Sequence, residues 1–295
     1  MRCFRPITAW QLVTREIVFA PRRGQDLARE LSLPCGQCVG CRLERSRQWA
    51  VRCVHESQMH DFSSFVTLTY NDDNCPISLD YRDYQLFMKR LRKEFGRARF
   101  FMCGEYGEKF GRPHYHACLF GVFFGDRTVH RRLPTGHNLY VSETLNRLWP
   151  HGYASIGDVT FESAAYVARY VTKKVTGPRA DDHYRCVDGE TGEIVMRKPE
   201  FAHMSLKPGI GSSWYAKYRD EVYPRDEVVV RGSKMKPPKY YDKLLEKEEN
   251  FEIDEVKFDR YQTAMMRVAE NTDERLAVAE ACTEARLKML KRTIT

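Results

Sequence analysis

Two histidines one residue apart, His114 and His116, lie inside the stretch 104–121 and have the types and spacing for metal chemistry. Tyr115, Ala117 and Leu119 alternate with His114, His116 and Cys118. That is the pattern of a β-strand, in which residues two apart share a face. The two imidazoles therefore project side by side and can hold one ion. Nine residues before His114, Glu105 ends another apolar run that begins at Arg99. If the two runs pair antiparallel through the turn at 107–111, Glu105 returns beside the histidines as an oxygen ligand. Two imidazoles and a carboxylate with open positions suit Mn²⁺ or Mg²⁺, or a transition metal. The plainer alternative is two polar residues on a half-buried strand, because a lone His-x-His is a weak motif.

The second chemical feature lies at 163–174, with no Pro or Gly until Gly177, which predicts a helix. At about 100° per residue, Ala164, Val167, Ala168, Val171 and Val175 form one side. Tyr166, Tyr170, Lys173 and Lys174 form the other. Tyrosines at i and i+4 are neighbours on a helix surface. Two phenols and two ammoniums are thus expected to face outward together, while the apolar stripe docks on a sheet. A Tyr pair is more often an ordinary core margin, but here the stripe is complete without it.

The third feature is Cys35-x-x-Cys38-x-x-Cys41, three thiols at metal-knuckle spacing ahead of a helix. A tetrahedral Zn²⁺ site needs a fourth ligand. Cys3 is the first choice, because it would tie down the N-terminal arm, and Cys53 and His55 are alternatives. The same spacing can serve an iron–sulfur cluster, but nothing else in the sequence points to redox chemistry.

The elements that must position these groups follow from periodicity. A helix at about 41–60 carries Arg42, Arg45, Arg47 and Arg52 around Trp49. Its basic side is either a solvated face or a phosphate-contacting one, with Trp49 as core anchor or base-stacking platform. Residues 65–70 read as a strand. Tyr84, Phe87, Met88, Leu91 and Phe95 step as an amphipathic helix over 82–95. Strands follow at 98–104 and 113–121, then a basic loop at 125–141, a short helix ending near Trp149, and a strand over 153–160. The order implies α+β architecture, an antiparallel sheet with packed helices. A hairpin is expected at 180–200 as a DNA-binding flap, and a polar helix from about 254 to 292 as a peripheral element or oligomerisation arm. The expected divisions are an N-terminal arm with the Cys-rich segment and basic helix at 1–60, the main domain at 61–240, and a helical tail at 241–295. Residues 1–34 read as irregular.

Composition sets the outer bounds. The 295 residues carry 48 Lys+Arg against 40 Asp+Glu, a net charge of +8 that is compatible with a polyanionic partner. No run of 18 apolar residues occurs, so no membrane span is expected, and the N-terminus lacks the apolar core of a signal peptide. Ten Cys without such a signal point to a reducing compartment. No G-x-x-x-x-G-K-[ST] motif occurs, so no NTPase is expected.

These motifs, in order, resemble the HUH endonucleases, and among them the rolling-circle replication initiators of microviruses of gokushovirus type. The resemblance covers roughly residues 1–240. It rests on the apolar strand at 65–70, the His114/His116 strand and the tyrosine helix, which fits both Tyr166-x-x-x-Tyr170 and Tyr170-x-x-Lys173. Residues 33–49 are similar to the leader of the gokushovirus proteins. The resemblance implies an HUH palm (RRM-like), with the histidines on central strands and the tyrosine helix across them. It implies a metal on His114, His116 and Glu105, with Glu108 competing as third ligand. Tyr166 and Tyr170 would be nucleophiles and Lys173 or Lys174 a charge stabiliser, with Arg42, Arg45, Arg112 and Arg169 contacting DNA. The implied reaction is nicking and rejoining of single-stranded origin DNA in the cytoplasm of a bacterial host, beside the host helicase, polymerase and single-strand binding protein. Competing readings are a plasmid initiator, relaxase or transposase of the same chemistry, a non-catalytic origin-binding protein, and a phosphodiesterase using activated water.

Overall fold

The computed structural model describes residues 2–107, 110–133, 136–170, 174, 175, 177, 180–189, 191–248 and 252–289. The first elements are β1 (Ile7–Leu12), β2 (Ile17–Val18), β3 (Leu27–Leu33), α1 (Val39–Ser57), β4 (Ser63–Tyr70), α2 (Tyr81–Phe95), β5 (Arg99–Tyr106) and β6 (Pro113–Phe120). Then come β7 (Thr128–Arg132), β8 (Asn138–Val141), α3 (Glu143–Leu148), β9 (Gly152–Gly157), α4 (Phe161–Tyr170), α5 (Ala180–Tyr184), β10 (Arg185–Val187) and β11 (Ile194–Met196). The chain continues with β12 (Phe201–Met204), α6 (Ser212–Val222), β13 (Val228–Val230), β14 (Ser233–Met235), α7 (Lys239–Lys247), α8 (Glu252–Met265) and α9 (Asp273–Met289).

The chain divides into two compact units, residues 1–45 with 251–292, and residues 46–250. The larger is α+β, built on a seven-stranded antiparallel sheet in the order β12-β5-β6-β4-β9-β8-β7. Alternation along the central strands gives each sheet face its own core. Val66, Leu68 and Tyr70 of β4, with Phe100 and Met102 of β5 and Tyr115, Ala117 and Leu119 of β6, pack with residues of α2 and with Trp149. Phe65, Phe101, Cys103, Cys118 and Phe120 point the other way, toward Ala50 and Cys53 of α1 and Ala164, Val167 and Ala168 of α4. This out-and-back pattern is what a sheet covered on both faces requires. The α2 helix forms where its apolar spacing predicts, with the Asp80 side chain accepting from the Arg82 N–H at its start. Gly96 ends it at φ +75°, a backbone conformation that glycine adopts without strain.

In the smaller unit, residues 1–34 are not irregular throughout: they carry the antiparallel sheet β2-β1-β3. Most β3 side chains are exposed, so the strand lacks the one-sided apolar alternation that would have announced it. The expected single helix at 254–292 is instead α8 and α9, separated by a short 3₁₀ turn at Val268–Glu270. Its scant apolar side chains give no continuous stripe.

Three further differences fall in the larger unit. The basic loop expected at 125–141 contains the paired strands β7 and β8, whose Thr128–Arg132 half is fully exposed and so has no apolar signature. The β13–β14 hairpin went unread, whereas the hairpin expected near 180–200 is present as β10–β11. The tyrosine helix was expected to run past Lys174, yet α4 ends at Tyr170 and Lys174 and Val175 lie in irregular backbone. The sequence there is rich in β-branched residues and reaches Gly177-Pro178, a poor context for continuing a helix. Among the described residues no helix is long and apolar enough to cross a membrane.

Candidate metal and tyrosine site

The register of two adjacent strands builds the centre of the site. Glu105 on β5 lies directly opposite His114 on β6, and Cys103 opposite His116. Because Glu105, His114 and His116 all point to the α1/α4 side of the sheet, their polar ends converge. The Nε2 atoms of His114 and His116 each lie 2.8 Å from the same Glu105 Oε1. One ligand atom from each of the three side chains falls within 4.8 Å of the others. Glu105 and His116 are buried, and His114 is partly open.

The surrounding hydrogen bonds orient the rings. His114 Nδ1 lies 3.1 Å from the Arg112 carbonyl oxygen, which can only accept, so Nδ1 carries the proton and Nε2 presents its lone pair. That lone pair faces a carboxylate oxygen, another acceptor, and the contact is favourable only with a proton or cation between them. His116 Nδ1 lies 2.9 Å from Thr67 Oγ1 on β4, and its ring stacks on Phe65 at 5.7 Å. Burial lowers the pKa of His116 against the opposing pull of Glu105, which keeps the imidazole neutral as a metal ligand requires. Burial raises Glu105, but the hydrogen bonds from the two histidines outweigh it and leave the carboxyl below its ordinary value. Its second oxygen, Oε2, is buried without a hydrogen-bond partner. Two oriented imidazoles and a carboxylate with a spare oxygen fit a divalent cation taking mixed N and O donors.

The α4 helix brings the phenol. A reciprocal pair starts it: Thr160 Oγ1 accepts from the Ser163 N–H at 3.1 Å and Ser163 Oγ accepts from the Thr160 N–H at 2.8 Å. Ser46 Oγ on α1 donates to the Ala165 carbonyl at 2.9 Å, fixing the helix axially. With Ala164, Val167 and Ala168 buried, Tyr166 lies over the triad. Its ring meets His116 edge-on at 5.0 Å between centroids, and its hydroxyl donates to Glu105 Oε1 at 3.4 Å. Tyr166 is therefore half-buried against the histidines rather than wholly outward.

The other expected site residues are distributed as follows. Tyr170 is the last residue of α4, one turn beyond Tyr166, and its side chain lies outside the described residues, as do Lys173 and Glu108. Lys174 is exposed and off the helix. Arg169 is in the last turn of α4. Arg112 is a strut: it donates to the Tyr70 carbonyl at 2.8 Å and pairs with Asp72. Arg42 and Arg45 belong to the smaller unit, where Arg45 Nη2 reaches the Gly36 carbonyl at 3.5 Å. Trp49 stacks on Phe101 at 4.6 Å and is covered by the Arg52 guanidinium at 4.0 Å, so it is a core anchor. Cys3, Cys35, Cys38 and Cys41 come together in the smaller unit. Cys53 is instead buried in the α1/α4 core, and His55 bonds Tyr241 and stacks on Trp214. Sequence reasoning passed over Thr67, although alternation in 65–70 puts it on the histidine face.

With that geometry in hand, comparison with known proteins identifies the class. A family model for replication-associated proteins of the ORF2 type matches residues 63–175, the span from β4 past α4. The replication-associated protein VP4 of Bdellovibrio phage phiMH2K is 34% identical over 259 residues, 84% of this chain and 78% of that protein. The replication-associated protein ORF2 of Spiroplasma virus 4 is 33% identical over 294 residues, 90% and 87% of the two chains. ORF4 of Chlamydia phage 1, also a replication-associated protein, is 31% identical over 234 residues, covering 73% of this chain and 54% of that one. No solved structure matches. The chain belongs to the replication-associated proteins of microviruses, the rolling-circle initiators its motifs resemble.

Proposed function

We propose that the protein is a site-specific DNA endonuclease and strand transferase of the HUH two-tyrosine type. It nicks single-stranded or supercoiled viral origin DNA and later rejoins the ends. The observation that carries this reading is the contact of Tyr166 with the Glu105–His114–His116 cluster. A phenol set against two oriented imidazoles and a carboxylate has little purpose in a binding module. When bound to the triad, Mg²⁺ or Mn²⁺ supplies Lewis-acid polarisation of a non-bridging phosphate oxygen.

The chain's own residues would do the rest. Thr67 and the Arg112 carbonyl hold the imidazoles in the ligating tautomer, and α4 holds the phenol within reach of a phosphate seated at the triad. The Tyr166 oxygen attacks phosphorus as the bond to the 3′ oxygen breaks. The phenol gives up its proton and the departing 3′ oxygen gains one, leaving a 5′-phosphotyrosine and a free 3′-OH primer. The ester keeps the energy of the broken bond, so attack by a 3′-OH reseals the strand without a nucleotide cofactor. Tyr170, one helical turn away, would serve as the second nucleophile when the origin is regenerated. Lys173 or Lys174 would stabilise developing charge, and Arg42, Arg45, Arg112 and Arg169 would contact DNA. The unit at 46–250 acts as the nuclease palm, and the work takes place in the bacterial host's cytoplasm with its helicase, polymerase and single-strand binding protein.

The test mixes protein, Mn²⁺ and origin-bearing single-stranded DNA and looks for an SDS-resistant protein–DNA band. The expected result is a band that disappears in the Tyr166→Phe/Tyr170→Phe double variant and in His114→Ala/His116→Ala. Cleavage without a covalent band identifies a water-using phosphodiesterase instead. Binding without cleavage leaves an origin-binding protein.

A further inference from the structure

The smaller unit holds four thiols that this chemistry does not use. Cys3 comes from the N-terminal arm, Cys35 and Cys38 from the turn after β3, and Cys41 from the first turn of α1. The Sγ atom of Cys3 lies 3.6 Å from that of Cys35 and 3.8 Å from that of Cys38. One ligand atom from each of the four falls within 4.8 Å of the others. A disulfide would bring two sulfurs to about 2.05 Å, and none of the four is so joined. Four sulfurs around a single ion at about 2.3 Å stand about 3.8 Å apart, the edge of a tetrahedron. An iron–sulfur cluster interposes several irons and sulfides and would push the thiolates further apart than this set allows.

The backbone around the sulfurs is arranged for negative charge. Phe4 N–H donates to Cys38 Sγ at 3.3 Å, Cys35 N–H to Cys3 Sγ at 3.3 Å, and Cys38 N–H to Cys35 Sγ at 3.3 Å. Cys41 N–H donates to Cys38 Sγ at 3.5 Å, so that sulfur takes the place of a capping oxygen at the start of α1. Neutral thiols are weak acceptors and gain little from such a cradle, whereas metal-bound thiolates need it. Phe4 and Leu276 close an apolar shell around the cluster. The close passage of the arm depends on Gly40, where an added Cβ would stand 2.2 Å from the Arg2 carbonyl oxygen.

We infer that Cys3, Cys35, Cys38 and Cys41 hold one structural Zn²⁺ ion that fastens the N-terminal arm to the start of α1. Binding exchanges the thiol protons for the cation and leaves a closed four-sulfur site with no position for substrate. The test is independent of nicking. Metal analysis of the purified full chain after dialysis should return one zinc per chain, and Co²⁺ exchange should give the intense bands of a tetrahedral all-thiolate centre. Zinc should persist in His114→Ala/His116→Ala. It should fall well below one equivalent in Cys3→Ser, and also in Gly40→Ala, which keeps every thiol but displaces the arm. Four thiols should become titratable for each zinc released by a mercurial from the wild-type protein, a readout that needs no variant to fold. Folded, metal-free protein with four freely reactive thiols overturns the inference, as does zinc that leaves with the histidines or a purified protein coloured by iron.

Discussion

Glu56→Gln isolates one buried charge on which three elements depend. Glu56, on the last turns of α1, accepts from Arg99 Nε of β5 at 2.5 Å and lies 3.3 Å from His60 Nε2. Its other oxygen accepts from the Gly211 N–H ahead of α6 at 2.6 Å. Burial alone would raise its pKa, but these bonds overcome it and hold the carboxyl at about 2, against an ordinary 4.5. A carboxyl depressed on folding contributes stability above its unfolded pKa and loses it as pH falls toward the folded one. The shift corresponds to about 3 kcal/mol at pH 7 and, by the same linkage, to about 1.5 kcal/mol at pH 3. Glutamine mimics the protonated acid, so wild type should exceed Glu56→Gln by those amounts. His55 provides the internal control. Burial holds its pKa at about 3, below the ordinary 6.5, so both proteins should lose stability as pH falls below about 6.5, while the difference between them changes only below about 5. Urea unfolding from pH 7 to 3, followed by circular dichroism, measures both quantities. A difference under about 1 kcal/mol at pH 7, or one that does not shrink with acid, would refute the account, since breaking a buried ion pair on one side costs about 3–5 kcal/mol.

Two other perturbations probe the scaffold of the site. Thr67→Val keeps the shape beside His116 but removes the oxygen 2.9 Å from its Nδ1; Mn²⁺ affinity in a calorimetric titration should weaken about 10–100-fold with the fold intact, and unchanged affinity would deny Thr67 its orienting role. Gly152→Ala would place a Cβ 2.3 Å from the Asn71 N and 2.4 Å from the Thr69 O, where β9 pairs with β4. With backbone on both sides nothing can yield cheaply, so a loss of about 3 kcal/mol is expected from the urea midpoint.

The sequence was most readable where one face of an element is buried. The strands at 65–70 and 113–121 and the helix at 82–95 emerged from alternation or helical spacing, and the two histidines from their shared face. Glu105 was placed near them only through a supposed pairing, and the observed Glu105–His114 register makes it a direct cross-strand neighbour. Where side chains are exposed on both sides, as in β3 and β7, no pattern was available to read. Trp49 was ambiguous for a different reason. Its covering cation, Arg52, is visible three residues away, but its stacking partner Phe101 comes from a strand 52 positions further on.

The three acidic and imidazole ligands sit on two neighbouring strands inside a seven-stranded sheet, whereas the phenol arrives on a ten-residue helix. Opening α4 breaks one layer of packing and leaves every ladder bond in place, so the two halves of the site belong to different cooperative units. Amides of β5 and β6 should then exchange with solvent only on global unfolding, and those of α4 sooner. A nucleophile on the less stable unit can carry its bound DNA end away from the ion and return with it. The mechanism would thereby gain a joint that exchanges strands without dismantling the metal's coordination.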